Sequence, residues 1–141
     1  MKRLLVVDDE PFVCEALKRV LQSNEVVVET ASDAESALVK VLAGTIDLVV
    51  LDVIMPGIDG VQLIRRLRAD HPEMRIIAIS GGGNFELSGY RPDAVSTRAY
   101  LAAASNAGAD ATLAKPFDGA ELEALVRPLL GPRAHQPKLT N

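Results

Sequence analysis

The sequence predicts an α/β fold in which a five-stranded parallel sheet carries helices on both faces. Five short apolar runs are unbroken, and most are rich in β-branched residues, as is typical of strands covered on both sides. The runs lie at residues 4–7, 26–28, 48–51, 76–79 and 111–114. Segments of helical period follow each run, so strand and helix alternate five times along the chain. Parallel strands need long right-handed crossovers between them, which the helical segments provide.

Each helical segment carries apolar residues at the three- and four-residue spacing of one helix face. In chain order these residues are Val13, Leu17, Val20 and Leu21; Ala34, Ala37, Leu38, Val41 and Leu42; Leu63, Ile64 and Leu67; an alanine-rich segment at 100–107; and Leu122, Leu125, Val126, Leu129 and Leu130. Ser32 with Glu35 and Asp118 with Glu121 have the spacing of capping boxes. They predict where the second and last helices begin.

One domain accounts for the whole pattern. Residues 1–131 carry all five strand and helix pairs, while 132–141 hold two prolines and little apolar content. We therefore expect a domain at 1–131 followed by a flexible C-terminal tail, without a second domain.

The composition argues against several classes of protein. Fifteen Lys and Arg against nineteen Asp and Glu give a net charge of −4, and there is no Trp. A nucleic-acid partner would call for a basic face or a stacking platform, so none is expected. The single cysteine, Cys14, excludes an internal disulfide and favours a reducing, cytoplasmic location. No apolar run approaches the ~20 residues that span a bilayer, so no membrane partner is expected.

Polar side chains follow four of the five predicted strands. Asp8 and Asp9 follow the first strand, Asp52 the third, Ser80 the fourth and Lys115 the fifth. Ligands of such sheets bind at the carboxyl ends of the strands. These five side chains are therefore the candidates for a functional site.

Three carboxylates brought together need a positive partner. Two unit charges at about 4 Å repel by roughly 4 kcal/mol at an effective dielectric near 20, so the cluster must take up protons or a cation. Mg²⁺ fits this need because it takes one or two carboxylates, keeps several waters and accepts phosphate oxygen. A lysine and a hydroxyl nearby would bind the remaining phosphoryl oxygens. The set predicts a carboxylate that becomes phosphorylated with Mg²⁺.

Four segments that contain these residues resemble the receiver domain of two-component response regulators. The segments are Val6-Val7-Asp8-Asp9-Glu10, Leu51-Asp52-Val53-Ile54-Met55-Pro56-Gly57-Ile58-Asp59-Gly60, Ile79-Ser80 and Lys115-Pro116-Phe117. The resemblance covers residues 1–131. It implies a flavodoxin-like (βα)5 fold with strand order 2-1-3-4-5.

The resemblance also implies a metal site. Asp9 would bind Mg²⁺ directly and Asp8 through water, while Asp52 and the backbone carbonyl of Ile54 would complete the protein's share.

A phosphorylation site is implied as well. Asp52 would accept a phosphoryl group from a phosphohistidine of a sensor histidine kinase or histidine phosphotransfer protein. Lys115 would pair with that group, and Ser80 would move to donate a hydrogen bond to it. Pro116 would follow a cis peptide bond.

Two features depart from the family pattern. Position 112, three before the lysine, usually holds an aromatic residue that takes part in switching, and here it is Thr112. Threonine is short and β-branched, so it cannot fill and vacate a pocket. Gly81, Gly82 and Gly83 open a connection that reaches about residue 97, longer than the usual two to six residues. This stretch is either a tolerated insertion or a conformational loop that replaces the aromatic switch.

The preferred hypothesis is a single-domain response regulator, not an enzyme, which signals to an unknown downstream protein as a monomer or weak homodimer. The alternative is a Mg²⁺-dependent phosphohydrolase with an aspartyl nucleophile. Such an enzyme would need a second carboxylate two residues after Asp52, where Ile54 stands. A flavin-binding module is weaker still, because acidic strand ends repel its phosphate.

Overall fold

A computed structural model of the chain describes residues 1–55, 58–81 and 94–131. Five parallel strands form one sheet in the spatial order β2-β1-β3-β4-β5. They are β1 (Lys2–Val7), β2 (Val26–Ala31), β3 (Leu48–Asp52), β4 (Arg75–Ser80) and β5 (Ala111–Ala114). The predicted sheet and its strand order are confirmed. The expected tail at 132–141 lies outside the described residues.

A helix follows each strand within the described ranges. The helices are α1 (Pro11–Leu21), α2 (Ala34–Leu42), α3 (Gly60–Asp70), α4 (Ala94–Ala107) and α5 (Gly119–Leu130). Between β3 and α3, Ile54–Met55 and Ile58–Asp59 form a short antiparallel hairpin. Among these helices, none is long and apolar enough to cross a membrane.

The sheet separates two hydrophobic cores, which explains why its strands are unbroken apolar runs. Leu5 and Val7 of β1 point to the core shared with α2, α3 and α4, whereas Leu4 and Val6 point to the core shared with α1 and α5. All four side chains are almost completely buried. Successive residues of a strand face opposite sides, so a strand covered on both sides keeps every position apolar.

The two predicted helix caps had different outcomes. Asp118 and Glu121 form the reciprocal capping box that their spacing predicts. The α2 prediction was wrong by one residue. Asp33, not Ser32, caps this helix, and its Oδ1 accepts a hydrogen bond from the Ser36 amide at 2.8 Å. Both residue types favour this position, so spacing alone could not separate them.

Two residues of the predicted apolar stripes are exposed to solvent. Val20 and Leu42 are 40 % and 76 % exposed, near the C-terminal ends of α1 and α2. Each lies one residue, or about 100° of helical rotation, from a buried neighbour, Leu21 or Val41. The buried faces are therefore narrower than the sequence pattern predicts.

Helix α4 begins earlier than expected. The sequence predicts that the connection after β4 ends near residue 97, whereas the helix starts at Ala94. The segment is rich in alanine and lacks a strong apolar face, so periodicity could not mark its start. Of the three glycines that open the connection, Gly81 is described, and Gly82 and Gly83 lie outside the described residues.

Arg68 joins three segments at the opposite end of the sheet from the strand-end carboxylates. Its guanidinium donates to the carbonyls of Pro72 and Met74 before β4 and to that of Gly108 after α4. It also pairs with the carboxylate of Asp110 at 3.0 Å. These contacts fix the C-terminal end of α4 against the last turn of α3.

Candidate functional site

The carboxyl ends of β1, β3 and β5 bring two acids and one lysine into contact. The Lys115 Nζ lies 3.1 Å from Asp52 Oδ2, within hydrogen-bond distance, and 3.9 Å from Asp8 Oδ2. Asp8 and Asp52 are only 3 % and 7 % exposed. The sequence prediction that these strand ends converge is confirmed for these three side chains.

The backbone orients both carboxylates in the same way. The amide of Glu10 donates to Asp8 Oδ1, and the amide of Ile54 donates to Asp52 Oδ1, each at 3.0 Å. Short acidic side chains commonly accept from the amide two residues further on. One oxygen of each carboxylate is thereby held by the main chain, while the other faces Lys115.

Gly60 allows the chain to fold tightly behind Asp52. A Cβ at this position would lie 2.5 Å from the Cα of Val53 and 2.6 Å from its carbonyl oxygen. The Gly60 amide donates to that oxygen at 3.2 Å, and the Val53 amide donates to Ile79 at 2.9 Å. The segment after Asp52 is thus fixed to β4. The sequence pattern gave Gly60 no role of its own; a glycine shortly before the apolar stripe of the third helix was the available signal.

Burial and neighbouring negative charges raise the pKa values of Asp8 and Asp52. Desolvation raises the pKa of Asp8 to about 7, and the negative charge of Asp52 adds to the increase. The hydrogen bond from the Glu10 amide acts in the opposite direction and lowers this pKa. Desolvation also raises the pKa of Asp52, opposed first by the charge of Lys115. The charge of Asp9 raises both pKa values, so Asp9 lies within electrostatic range. One lysine does not compensate three acids, and the site favours additional positive charge.

Ser80, the last residue of β4, brings a hydroxyl without a partner. Its Oγ is completely buried and makes no hydrogen bond, and no other buried side-chain oxygen or nitrogen in the described ranges is in this state. Burying an unpaired hydroxyl costs roughly 1–3 kcal/mol. A ligand that accepts a hydrogen bond at this point would recover that free energy.

The donor set fits Mg²⁺ better than a metal that requires a closed protein cage. Within residues 1–55, 58–81 and 94–131, no three His, Cys, Asp or Glu side chains converge to enclose a metal. Mg²⁺ keeps several waters and needs only one or two carboxylates from the protein. Asp9 is half-buried beside Asp8, and the hairpin after Asp52 holds the backbone of Ile54.

Other predicted residues have clear positions. The Lys115–Pro116 peptide bond is cis, as expected. Thr112 is half-buried on β5 and pairs in register with Ala78, two residues before Ser80. Cys14 is buried, and its Sγ donates to the Asp8 carbonyl at 3.4 Å. Burial raises the pKa of this thiol to about 11, consistent with a packing role.

Comparisons with known proteins agree with this geometry. The family profile described as the response regulator receiver domain matches residues 4–89. The response regulator MprA of Mycolicibacterium vanbaalenii is 40 % identical over 128 residues, which cover 91 % of this chain and 50 % of that protein. The chain therefore spans about half the length of the curated relatives it matches.

Solved structures show the same fold. The response regulator TrrA of Thermotoga maritima, solved in complex with Mg²⁺ and beryllofluoride, is 36 % identical with a TM-score of 0.71, covering 92 % of this chain and all of that one. A signal receiver domain from Pseudomonas fluorescens has a TM-score of 0.76 at 27 % identity, covering 92 % of this chain and 94 % of that one. From its fold, its strand-end site and its relatives, the chain belongs to the response regulator receiver domain family.

Proposed function

We propose that this receiver domain is a switch controlled by phosphorylation of Asp52, with a sensor histidine kinase or histidine phosphotransfer protein as the donor. One observation carries the proposal: Asp52 is buried, held by the Ile54 amide, and paired with Lys115 at 3.1 Å. A buried carboxylate with a fixed orientation and an adjacent cation is suited to act as a nucleophile toward phosphorus.

The proposed transfer takes place at the carboxylate of Asp52. An oxygen of Asp52 attacks the phosphorus of phosphohistidine as the bond from phosphorus to the imidazole nitrogen breaks, and that nitrogen keeps the electron pair. The product is an acyl phosphate on Asp52. Lys115 then binds one phosphoryl oxygen, and the Ser80 hydroxyl, unpaired in the resting site, donates to another.

Asp8, Asp9, Asp52 and the carbonyl of Ile54 are the groups that would hold Mg²⁺. The ion supplies positive charge that offsets the carboxylates and the incoming phosphoryl oxygens. Support comes from the geometry, since the buried carboxylates of Asp8 and Asp52 both face Lys115 Nζ, and from desolvation, which raises the pKa of both acids.

The test is incubation of the purified chain with acetyl phosphate in Mg²⁺ or in EDTA, followed by intact mass measurement. We expect a gain of one phosphoryl group in Mg²⁺ and little gain in EDTA. The alternative, a Mg²⁺-dependent phosphohydrolase, predicts continuous turnover of phosphomonoesters without a lasting mass change. No mass gain in Mg²⁺ would contradict the switch.

We expect the phosphorylated form to be long-lived, because the side chain of Ile54 cannot hold an attacking water. Ile54→Asn or Ile54→Glu provides a polar group beside Asp52 and is expected to change the dephosphorylation rate about 10-fold. The rate is followed as the loss of the phosphorylated mass with time. Ile54→Val is the matched control and should keep the slow rate. A wild-type half-life of seconds would contradict the prediction.

Several narrower expectations stay predictions. They are output through protein contacts without an attached domain, no nucleic-acid partner, cytoplasmic location, no enzymatic turnover, and a monomer or weak homodimer.

A further inference from the structure

Gly60, the first residue of α3, lies directly against the backbone that follows Asp52. A Cβ at this position would lie 2.5, 2.6 and 2.9 Å from the Cα, the carbonyl oxygen and the carbonyl carbon of Val53. All three are main-chain atoms, which cannot rotate out of the way as the end of a flexible side chain can. Any other residue at position 60 therefore requires a movement of the backbone.

Both sides of this contact are anchored. Val53 is buried, and its amide donates to the Ile79 carbonyl of β4 at 2.9 Å. On the other side, the completely buried side chain of Ile64 holds α3 in the hydrophobic core. Ile54, which begins the short hairpin between these two anchors, is only half-buried. The hairpin is therefore the part that moves when the contact is forced apart.

Ile54 supplies the site with two main-chain groups. Its amide donates to Asp52 Oδ1 at 3.0 Å and so orients the carboxylate. Its carbonyl is the uncharged member of the proposed Mg²⁺ ligands. Across the hairpin Ile54 pairs in register with Asp59, the residue directly before Gly60. A shift of the chain at Gly60 thus reaches both groups of Ile54 through one residue pair.

We propose that Gly60 is a positioning residue for the metal site, because its missing side chain lets α3 approach Val53 and fixes Ile54 before a metal binds. The inference rests on the proposed function, in which Mg²⁺ binds beside Asp52. Mg²⁺ demands near-ideal octahedral geometry, so it tolerates a displaced ligand poorly. Loss of a group that orients a metal ligand typically weakens metal binding about 10- to 100-fold. Gly60 therefore sets the Mg²⁺ affinity without contributing a ligand.

Calorimetric titration of the full chain with Mg²⁺ tests this role. We expect Gly60→Ala to weaken Mg²⁺ binding at least about 10-fold. Gly119→Ala is the matched control, because Gly119 is also the first residue of its helix, α5, and also follows an aspartate N-cap. Its Cβ would first meet a side-chain atom, Val20 Cγ1 at 3.2 Å, and Val20 is partly exposed. The control carries the same change in helix propensity and should bind Mg²⁺ as wild type does.

The Mg²⁺ dependence of phosphorylation separates positioning from a loss of folded protein. Mass gain from acetyl phosphate is followed over time, and circular dichroism reports the folded fraction of each variant. Below the wild-type Kd for Mg²⁺, Gly60→Ala should react at least about 10-fold more slowly than wild type. At saturating Mg²⁺ the difference should narrow to about 3-fold or less. A rate reduced by the same factor at every Mg²⁺ concentration would overturn the inference, since that result indicates a structural defect alone.

Hydrogen exchange in the wild type keeps the inference testable if Gly60→Ala does not fold. The Val53 and Gly60 amides are bonded at 2.9 and 3.2 Å. We expect both to be protected in EDTA and to change less than about 3-fold on adding Mg²⁺. Rapid exchange of these amides until Mg²⁺ is added would show that the metal orders the hairpin, and the inference would be wrong.

The same measurements distinguish this inference from the proposed function. If the wild type neither binds Mg²⁺ nor gains a phosphoryl group, the proposed function fails, and the inference fails with it. If the wild type does both and Gly60→Ala binds Mg²⁺ with the same affinity, the positioning role alone is overturned.

Discussion

We expect Asp52→Asn to reduce the rate at which the chain gains a phosphoryl group from acetyl phosphate by at least about 100-fold. The amide keeps the shape and can accept the Ile54 hydrogen bond, but it lacks the nucleophilic oxygen and the charge that pairs with Lys115. Intact mass measured over time in Mg²⁺ gives the rate.

Asp59→Asn is the matched control for this substitution. Asp59 is exposed and caps α3, accepting from the amides of Val61 and Gln62. Asparagine caps helices about as well as aspartate, so the fold and the phosphorylation rate should be unchanged. Phosphorylation of Asp52→Asn at the wild-type rate would show that another residue accepts the phosphoryl group.

The sheet and the strand-end acids could be predicted because both depend on short sequence patterns. Unbroken apolar runs identify strands covered on two sides, and residues directly after parallel strands share one edge of the sheet. The convergence of Asp8, Asp52 and Lys115 follows from these two rules alone.

Other features depend on contacts between distant residues, which local patterns do not encode. Arg68 resembles any helix-surface arginine in the sequence, yet it donates to carbonyls as far away as Gly108. The closeness of Thr97 to Gly81, where a Cβ would lie 3.1 Å from Thr97 Oγ1, is likewise set by how α4 lies across the sheet. The burial of Ser80 could be anticipated from its strand, but its missing hydrogen-bond partner is visible only in three dimensions.

The metal-free protein is expected to lose stability as the pH rises from about 4 to about 7. Desolvation raises the pKa of Asp8 from 3.8 to about 7, so in this window the folded state holds a proton that the unfolded state has released. The free energy of unfolding therefore falls with rising pH and levels off above the folded pKa. Full ionisation of Asp8 costs on the order of 2–4 kcal/mol, and the raised pKa of Asp52 acts in the same direction.

Asp8→Asn should remove most of this pH dependence. The neutral amide can still accept from the Glu10 amide, and it ends the repulsion between Asp8 and Asp52. Denaturant unfolding in EDTA at pH 5 and pH 8 measures the effect, and the variant should be more stable than wild type at pH 8 by up to about 2–4 kcal/mol.

Two further measurements test whether the ionised Asp8 lacks a compensating positive charge. One is the addition of Mg²⁺, and the other is a control substitution at a different aspartate, Asp33. Adding Mg²⁺ at pH 8 should stabilise wild type more than Asp8→Asn, because the cation offsets the charge that the variant lacks. Asp33→Asn is the control: hydrogen bonds from Ser36 lower the pKa of that exposed carboxyl, so its ionisation is complete below this pH range. Its pH profile between 5 and 8 should match wild type. If Asp8→Asn gives no increase in stability at pH 8, the buried acids are compensated within the protein, and the need for a cation at this site is disproved.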